Sequence, residues 1–195
     1  MTDAATPSVR RAELVRVLLG AAVLGVLVGI AWAFLTPTPQ ARVLGDGTAV
    51  VPGAQIDHYF DGIGVFSMLM LGVGVIVGLV CWWGARSWRG PVGAIVAIVG
   101  AVVAGGFAIA LGTWVLDLRL SDRAGLHPGD TFGVAPNIWL NAEVPGAVSA
   151  PGLLLVIAPL LATFVYLCAV LMSRSPDLGT SVVSAGEPTS TPAPA

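Results

Sequence analysis

Four apolar runs, separated by short polar stretches, set the plan of the chain: Val17–Leu35, Gly62–Ala85, Gly90–Leu116 and Gly152–Met172. A bilayer core needs about 20 apolar residues per helix, so each run is long enough to cross one. The pattern predicts spans over about 14–35, 62–85, 91–116 and 152–172, with loops at 36–61 and 117–151. Residues 1–13 and 173–195 are polar, rich in Ser, Thr, Pro and Gly toward the C-terminus, and expected to be disordered tails. No charge interrupts 62–85 or 90–116, and the turn Arg86-Ser-Trp-Arg-Gly-Pro91 between them makes a helical hairpin with its arginines in water.

Within the spans, small residues sort to one face. Winding the third at about 100° per residue gathers Gly93, Ala97, Gly100, Ala101, Ala104, Gly105, Ala108 and Gly112 into a sector about 140° wide. Ile95, Val96, Ile98, Val99, Val102, Val103, Phe107 and Ile109 take the other side, which should meet lipid, because small side chains let helix backbones approach closely. The first span carries Ala22, Gly25, Gly29 and Ala33 on one face. The second carries Gly64, Ser67, Gly74, Gly78 and Ala85, expected to pack on the small face of the third. The fourth packs through Ala158, Ala162 and Ala169, with Pro151 suited to its first turn and Pro159 kinking it or absorbed near its start.

Between spans, Arg42–Val51 has two β-prone runs around Gly45-Asp-Gly47, the chemistry of a hairpin, and no lysine or following helix that would make it a phosphate loop. Asn137–Glu143 is a candidate strand beside that hairpin, and Asp61 a candidate N-cap for the second span. Trp82, Trp83 and Trp88 gather at the far end of the second span, as an interfacial belt would.

A hydrophobic fraction of 56% against 10% charged residues places the chain among integral membrane proteins and leaves no room for a sizeable soluble domain. The net charge of −2 is spread thinly and argues against nucleic acid as a partner. All the basic residues are arginine, a bias typical of GC-rich bacteria. With both ends inside, cytoplasmic segments hold Arg10, Arg11, Arg16, Arg86, Arg89 and Arg174, against Arg42, Arg119 and Arg123 outside, so both termini are expected in the cytoplasm of a multi-pass plasma-membrane protein. The first span could alternatively be a cleaved export signal, but its apolar run is long for one and Glu13 spoils a twin-arginine match.

Chemistry is sparse. The spans hold no ionisable side chain at mid-depth, which weakens ion transport, and Ser67, Thr113 and Thr163 are expected to bond back to their own helices. Cys81 and Cys168 lie in apolar runs as small fillers, with no nearby base and no G-x-S-x-G. Asp57-His58-x-x-Asp61 and His127-Pro-Gly-Asp130 could meet at the membrane surface around a divalent metal; the plainer reading makes them solvated loop, cap and turn residues. No cofactor is expected.

Asp61-Gly62 before a glycine-rich span, the Arg-x-x-Arg-Gly-Pro91 turn, the third span ending Leu111-Gly112, and Phe132 to Ala142 before the last span together resemble a family of actinobacterial multi-pass membrane proteins, domain-of-unknown-function family 2567. The resemblance covers roughly Val15–Met172 and implies a plasma-membrane protein without an assigned activity, and no site residue to carry over.

The expected fold is all-α: a four-transmembrane-helix bundle with a small extracytoplasmic β-containing cap. Three functions fit. One is an accessory or scaffolding protein working through envelope partners. Another is a small transporter, or transporter subunit, for a lipid-like substrate. The third is a membrane enzyme with a surface metal. Homo-oligomerisation is compatible with all three.

Overall fold

A computed structural model describes residues 7–45, 48–53, 56–85, 89–120, 127–140, 150 and 152–173. Four long apolar helices dominate it: α1, Pro7–Leu35; α2, Ile56–Gly84; α3, Pro91–Arg119; and α4, Ile157–Leu171, preceded by a 3-10 turn over Leu153–Val156. Each is long and apolar enough to cross a membrane, the last together with its 3-10 turn.

The helices overrun their apolar runs. α1 begins at Pro7, inside the expected N-terminal tail, because proline's fixed φ suits a first turn. It ends before Pro37, which disfavours helical geometry in Thr36. α2 begins at Ile56 rather than at residue 62, since no breaker follows Gly53 until the apolar run is reached. Asp61 is therefore not an N-cap. It lies where the helix's own carbonyls already accept the backbone N–H groups. Gly90, at φ 114°, makes the turn into Pro91 at the start of α3, and Pro159 sits in the first turn of α4, where its missing N–H matters least. Both tails beyond the described residues, together with 86–88, 121–126, 141–149 and Pro151, fall outside the description.

The bundle is built from two close-packed parallel pairs that are not sequence neighbours. In the first, a Cβ placed on Gly25 would overlap the Ala104 carbonyl, and one on Gly29 the Ala108 carbonyl. Further along, one on Gly112 would lie 2.9 Å from Trp32 Cε3. The contacts climb together, 25 with 104 and 29 with 108, so α1 and α3 run parallel. In the second pair, a Cβ on Gly74 would sit 2.6 Å from the Ala158 carbonyl oxygen, and one on Gly78 2.8 Å from that of Ala162. Here too the register climbs together. Gly74 and Gly78 of α2 thus face α4, not α3 as the pattern suggests.

The reason lies on the rest of α2. Phe66, Met70, Val73 and Val77, at successive helical turns, are all buried in one cluster with the alanines of α3, and Val77 and Met70 lie over Gly100 and Gly105. Large side chains on small ones close a core without voids, whereas two small faces on α2 and α3 would have left Gly25 and Gly29 without a partner. Gly100 and Gly105 meet side chains instead of backbone: a Cβ there would lie 3.4 Å from Val77 Cγ1 and 3.1 Å from Leu155 Cδ2. Val96 and Ile109, expected on the lipid side, are 7% and 0% exposed. The buried face of α3 is wider than its glycines and alanines because α1, α2 and α4 all pack on it. Ile95, Ile98, Val99, Val102 and Phe107 do remain exposed.

At one end sits the three-stranded antiparallel sheet, in order β2-β1-β3: β1 is Gln40–Val43, β2 Ala49–Val50 and β3 Thr131–Gly133. Strands β1 and β2 form the expected hairpin, Arg42 opposite Val50 and Val43 opposite Ala49; Asp46 and Gly47 of its turn are outside the described residues. Of the expected strand Asn137–Glu143, residues 137–140 are described and form no strand; the rest lies outside the described residues. Ile138 and Trp139 form a turn, and the sheet is completed by Thr131–Gly133, held over Leu120 at the end of α3.

Candidate functional site

The end of the bundle beneath the sheet concentrates its polar structure. Pro37 has no N–H, so the Ala33 carbonyl four residues earlier loses its helical donor. Arg119 Nη1 from α3 donates to that carbonyl, and its guanidinium lies 4.9 Å over the Phe34 ring. Beside it Trp32, fully buried, donates from Nε1 to the Gly62 carbonyl at 2.9 Å and meets Phe66 edge-on at 5.6 Å. Gly62 must be glycine there: a Cβ would lie 2.5 Å from Pro136 Cγ and 2.9 Å from Thr36 Cγ2. Thr36 Oγ1 is buried and has no hydrogen-bond partner among the described residues. The node ties α1, α2, α3 and the sheet loops together.

Alongside the node a groove of about 670 Å³ opens on the outer surface, between the end of α1 (Leu35, Pro37) and the stripe Asp61, Gly64, Met68 of α2. At the opposite end of the bundle a second groove, about 510 Å³, lies between α2 and α4 and is walled by Trp82, Trp83, Phe164 and Met172. Next to it the α2–α3 turn is fastened: Arg89 Nε donates to the Trp82 carbonyl at 3.2 Å, and its guanidinium stacks 4.4 Å over the Trp82 ring. The Tyr166 hydroxyl accepts from Gly90 N–H at 3.0 Å and donates to its carbonyl at 3.2 Å.

Among the described metal candidates, Asp61, His127 and Asp130 do not form a group of three placed to hold a metal ion. His127 and Asp130 close a turn on themselves: His127 N–H donates to Asp130 Oδ2 at 2.8 Å, and the turn extends β1 through Gly129 N–H to the Val43 carbonyl. Asp61 lines the groove on α2. The side chains of Asp57 and His58 lie outside the described residues. Among the described residues no group of three or more His, Cys, Asp and Glu side chains is placed to hold a metal ion. Of the residues singled out for helix packing, Gly25, Gly29, Gly74 and Gly78 sit at backbone contacts. Ala97, Ala101 and Ala104 are fully buried, and Gly100 and Gly105 are buried against side chains. Ser67, Thr113 and Thr163 donate to their own helices at Ile63, Ile109 and Pro159.

Sequence reasoning passed over Trp32, Arg119 and Tyr166. A proline four residues after Ala33 was the available signal for Arg119, since it announces an orphaned carbonyl in need of a donor; Trp32 gave none. Tyr166 gave no comparable sign.

A family model described as a protein of unknown function (DUF2567) matches residues 21–180. No curated protein and no solved structure matches the chain.

Proposed function

The chain belongs to the DUF2567 family of proteins of unknown function, and from that premise we propose that it is an accessory or scaffolding protein of the plasma membrane, working through its outer surface. The observation that carries this reading is the dry core. Phe66, Met70, Val73 and Val77 close on Ala97, Ala101, Ala104 and Ala108, and every one of these is buried and apolar. Among the described residues Thr36, at the end of the bundle, is the buried hydroxyl without a partner. A conduit for ions needs polar groups or water along its path, because desolvating a charge costs several kcal/mol even after relaxation. The grooves open sideways, on the outside of the bundle, where lipid or a partner helix would meet them.

The experiment is flux. Purified protein in liposomes, with a pH-sensitive dye and an imposed potassium gradient, should give proton and cation leakage equal to that of protein-free vesicles. Reproducible flux, lost on filling the core with Gly100→Leu, would replace this reading with a transporter.

For orientation, the arginine distribution supports both termini inside and the sheet outside, in the membrane of a GC-rich bacterium such as an actinobacterium. Single cysteines at Thr48, Ser87 and Thr180, in a background lacking Cys81 and Cys168, report it directly. In intact cells an impermeant thiol reagent should label Thr48→Cys alone; labelling of Ser87→Cys or Thr180→Cys instead would invert the topology.

A further inference from the structure

The groove between α2 and α4 ends where the chain leaves the bundle. About 510 Å³ in volume, it is walled by Trp82, Trp83, Phe164, Cys168 and Met172, and Ser173 stands at its lip. Trp83, Phe164 and Met172 are 60%, 59% and 82% exposed, so among the described residues nothing covers these walls. From Phe164 to Ser173 the groove runs about 13 Å along α4, at about 1.5 Å per residue. Two observations bear on what covers it. The family match reaches residue 180, past Leu171 where α4 ends, so Arg174–Thr180 belongs to the family's domain. Those residues also pair turn chemistry with one large apolar side chain. Ser175-Pro176-Asp177-Leu178 has serine and proline in the first two positions that a type I turn favours. Leu178 is five residues beyond Ser173, a reach of about 17 Å, more than the length of the groove.

We propose that Arg174–Thr180 folds back on the bundle and seats Leu178 in this groove, against Trp82, Cys168 and Met172, with Ser175 to Asp177 left in water. The short tether favours this occupant. It holds Leu178 at an effective concentration on the order of millimolar beside the groove, so a modest apolar contact is enough to close it. Two of the walls are tryptophans, whose indole N–H a peptide carbonyl can meet and an acyl chain cannot. The segment then covers the end of the bundle next to the α2–α3 turn, which Arg89 and Tyr166 already fasten. This goes beyond the scaffolding reading and holds in either orientation of the chain.

Disulfide trapping in the full chain tests it, because Cys168 already lines the groove and Cys81, 1% exposed, is out of reach. Ser175→Cys, Leu178→Cys and Ser184→Cys are oxidised separately in mild detergent with copper phenanthroline, which takes two electrons as the two thiols release their protons. A bridge needs Cα atoms within about 7 Å. Leu178→Cys should therefore close on Cys168 about tenfold faster than either of the other two, whereas a chain that is only tethered loses rate smoothly with length. Independently, Leu178→Ser should raise the rate at which N-ethylmaleimide labels Cys168 about three- to tenfold, by weakening the apolar contact that shields it. Bridging rates that fall smoothly from Ser175→Cys to Ser184→Cys would overturn the proposal. Bridges between two molecules would give the groove to the segment of a second copy and overturn it as well. Labelling of Cys168 that ignores Leu178→Ser but rises on delipidation would give the groove to lipid, with the same consequence.

Discussion

Gly25→Leu is expected to be the most damaging single substitution in the transmembrane region, lowering stability by about 3 kcal/mol or more. Overpacking a well-filled site costs about 1–3 kcal/mol when side chains can shift. At Gly25 the obstacle is the backbone of α3: the Ala104 carbonyl occupies the space a Cβ would need. The helices would have to separate along the whole seam, giving up the close approach at Gly29 and Gly112 as well. Gly20, on the same helix, is the control. It has nothing within 4 Å, and Gly20→Leu should be neutral or slightly stabilising, because glycine is a poorer helix former than leucine by somewhat under about 1 kcal/mol. Thermal unfolding of both variants in mild detergent, followed by circular dichroism, makes the comparison. Equal losses at the two positions would mean that α1 does not meet α3 along this face.

Trp32→Ala should follow closely, at about 3–5 kcal/mol, the range for emptying a buried aromatic site. Trp32 is fully buried, covers Gly112, meets Phe66 edge-on and donates to the Gly62 carbonyl. Its removal opens a cavity where α1, α2 and α3 converge. Trp32→Phe keeps most of the ring and loses the N–H, so it should cost nearer 1 kcal/mol, the worth of a typical hydrogen bond plus a little lost volume. Trp83, 60% exposed, should tolerate alanine with little change. Denaturant titrations in the same micelles rank the three. A Trp32→Ala loss no larger than that of Trp83→Ala would remove the node from the account.

The four helices were legible because lipid imposes a simple rule: runs of about 20 apolar residues, and small residues turned toward protein. The β-hairpin was legible because Gly45-Asp-Gly47 lies between two β-prone runs. What a helical wheel cannot supply is the identity of the partner. It showed that Gly74 and Gly78 are a contact face, and it showed the small face of α3, but neither pattern records that α4 and α1 are the helices that fit them. Grouping Gly64 with Gly74 also misled. Ten residues at 100° each leave the two about 80° apart, and Gly64 ends on the open groove while Gly74 meets α4. Strand β3 has three residues, too few for alternation to show, so the longer Asn137–Glu143 pattern drew the assignment away. Asp61 read as a cap because the apolar run starts just after it; the helix starts earlier, where polar residues can be helical in water. The groove itself has no sequence signature, since it is the space left between two helix ends whose spacing is set elsewhere.

The pairing of α1 with α3 is the claim on which the closed core, and with it the functional reading, depends. A double-mutant cycle between the two helices measures it most directly. Gly112→Ala pushes a methyl to within 2.9 Å of the Trp32 ring, and Trp32→Phe withdraws part of that ring. The two substitutions should therefore not add: Gly112→Ala should be less costly in the Trp32→Phe background, with a coupling of about 0.5–3 kcal/mol, as residues in direct contact show. Strict additivity, with each substitution costing the same whether or not the other is present, would mean that Trp32 and Gly112 do not touch and that α1 and α3 are not the pair described.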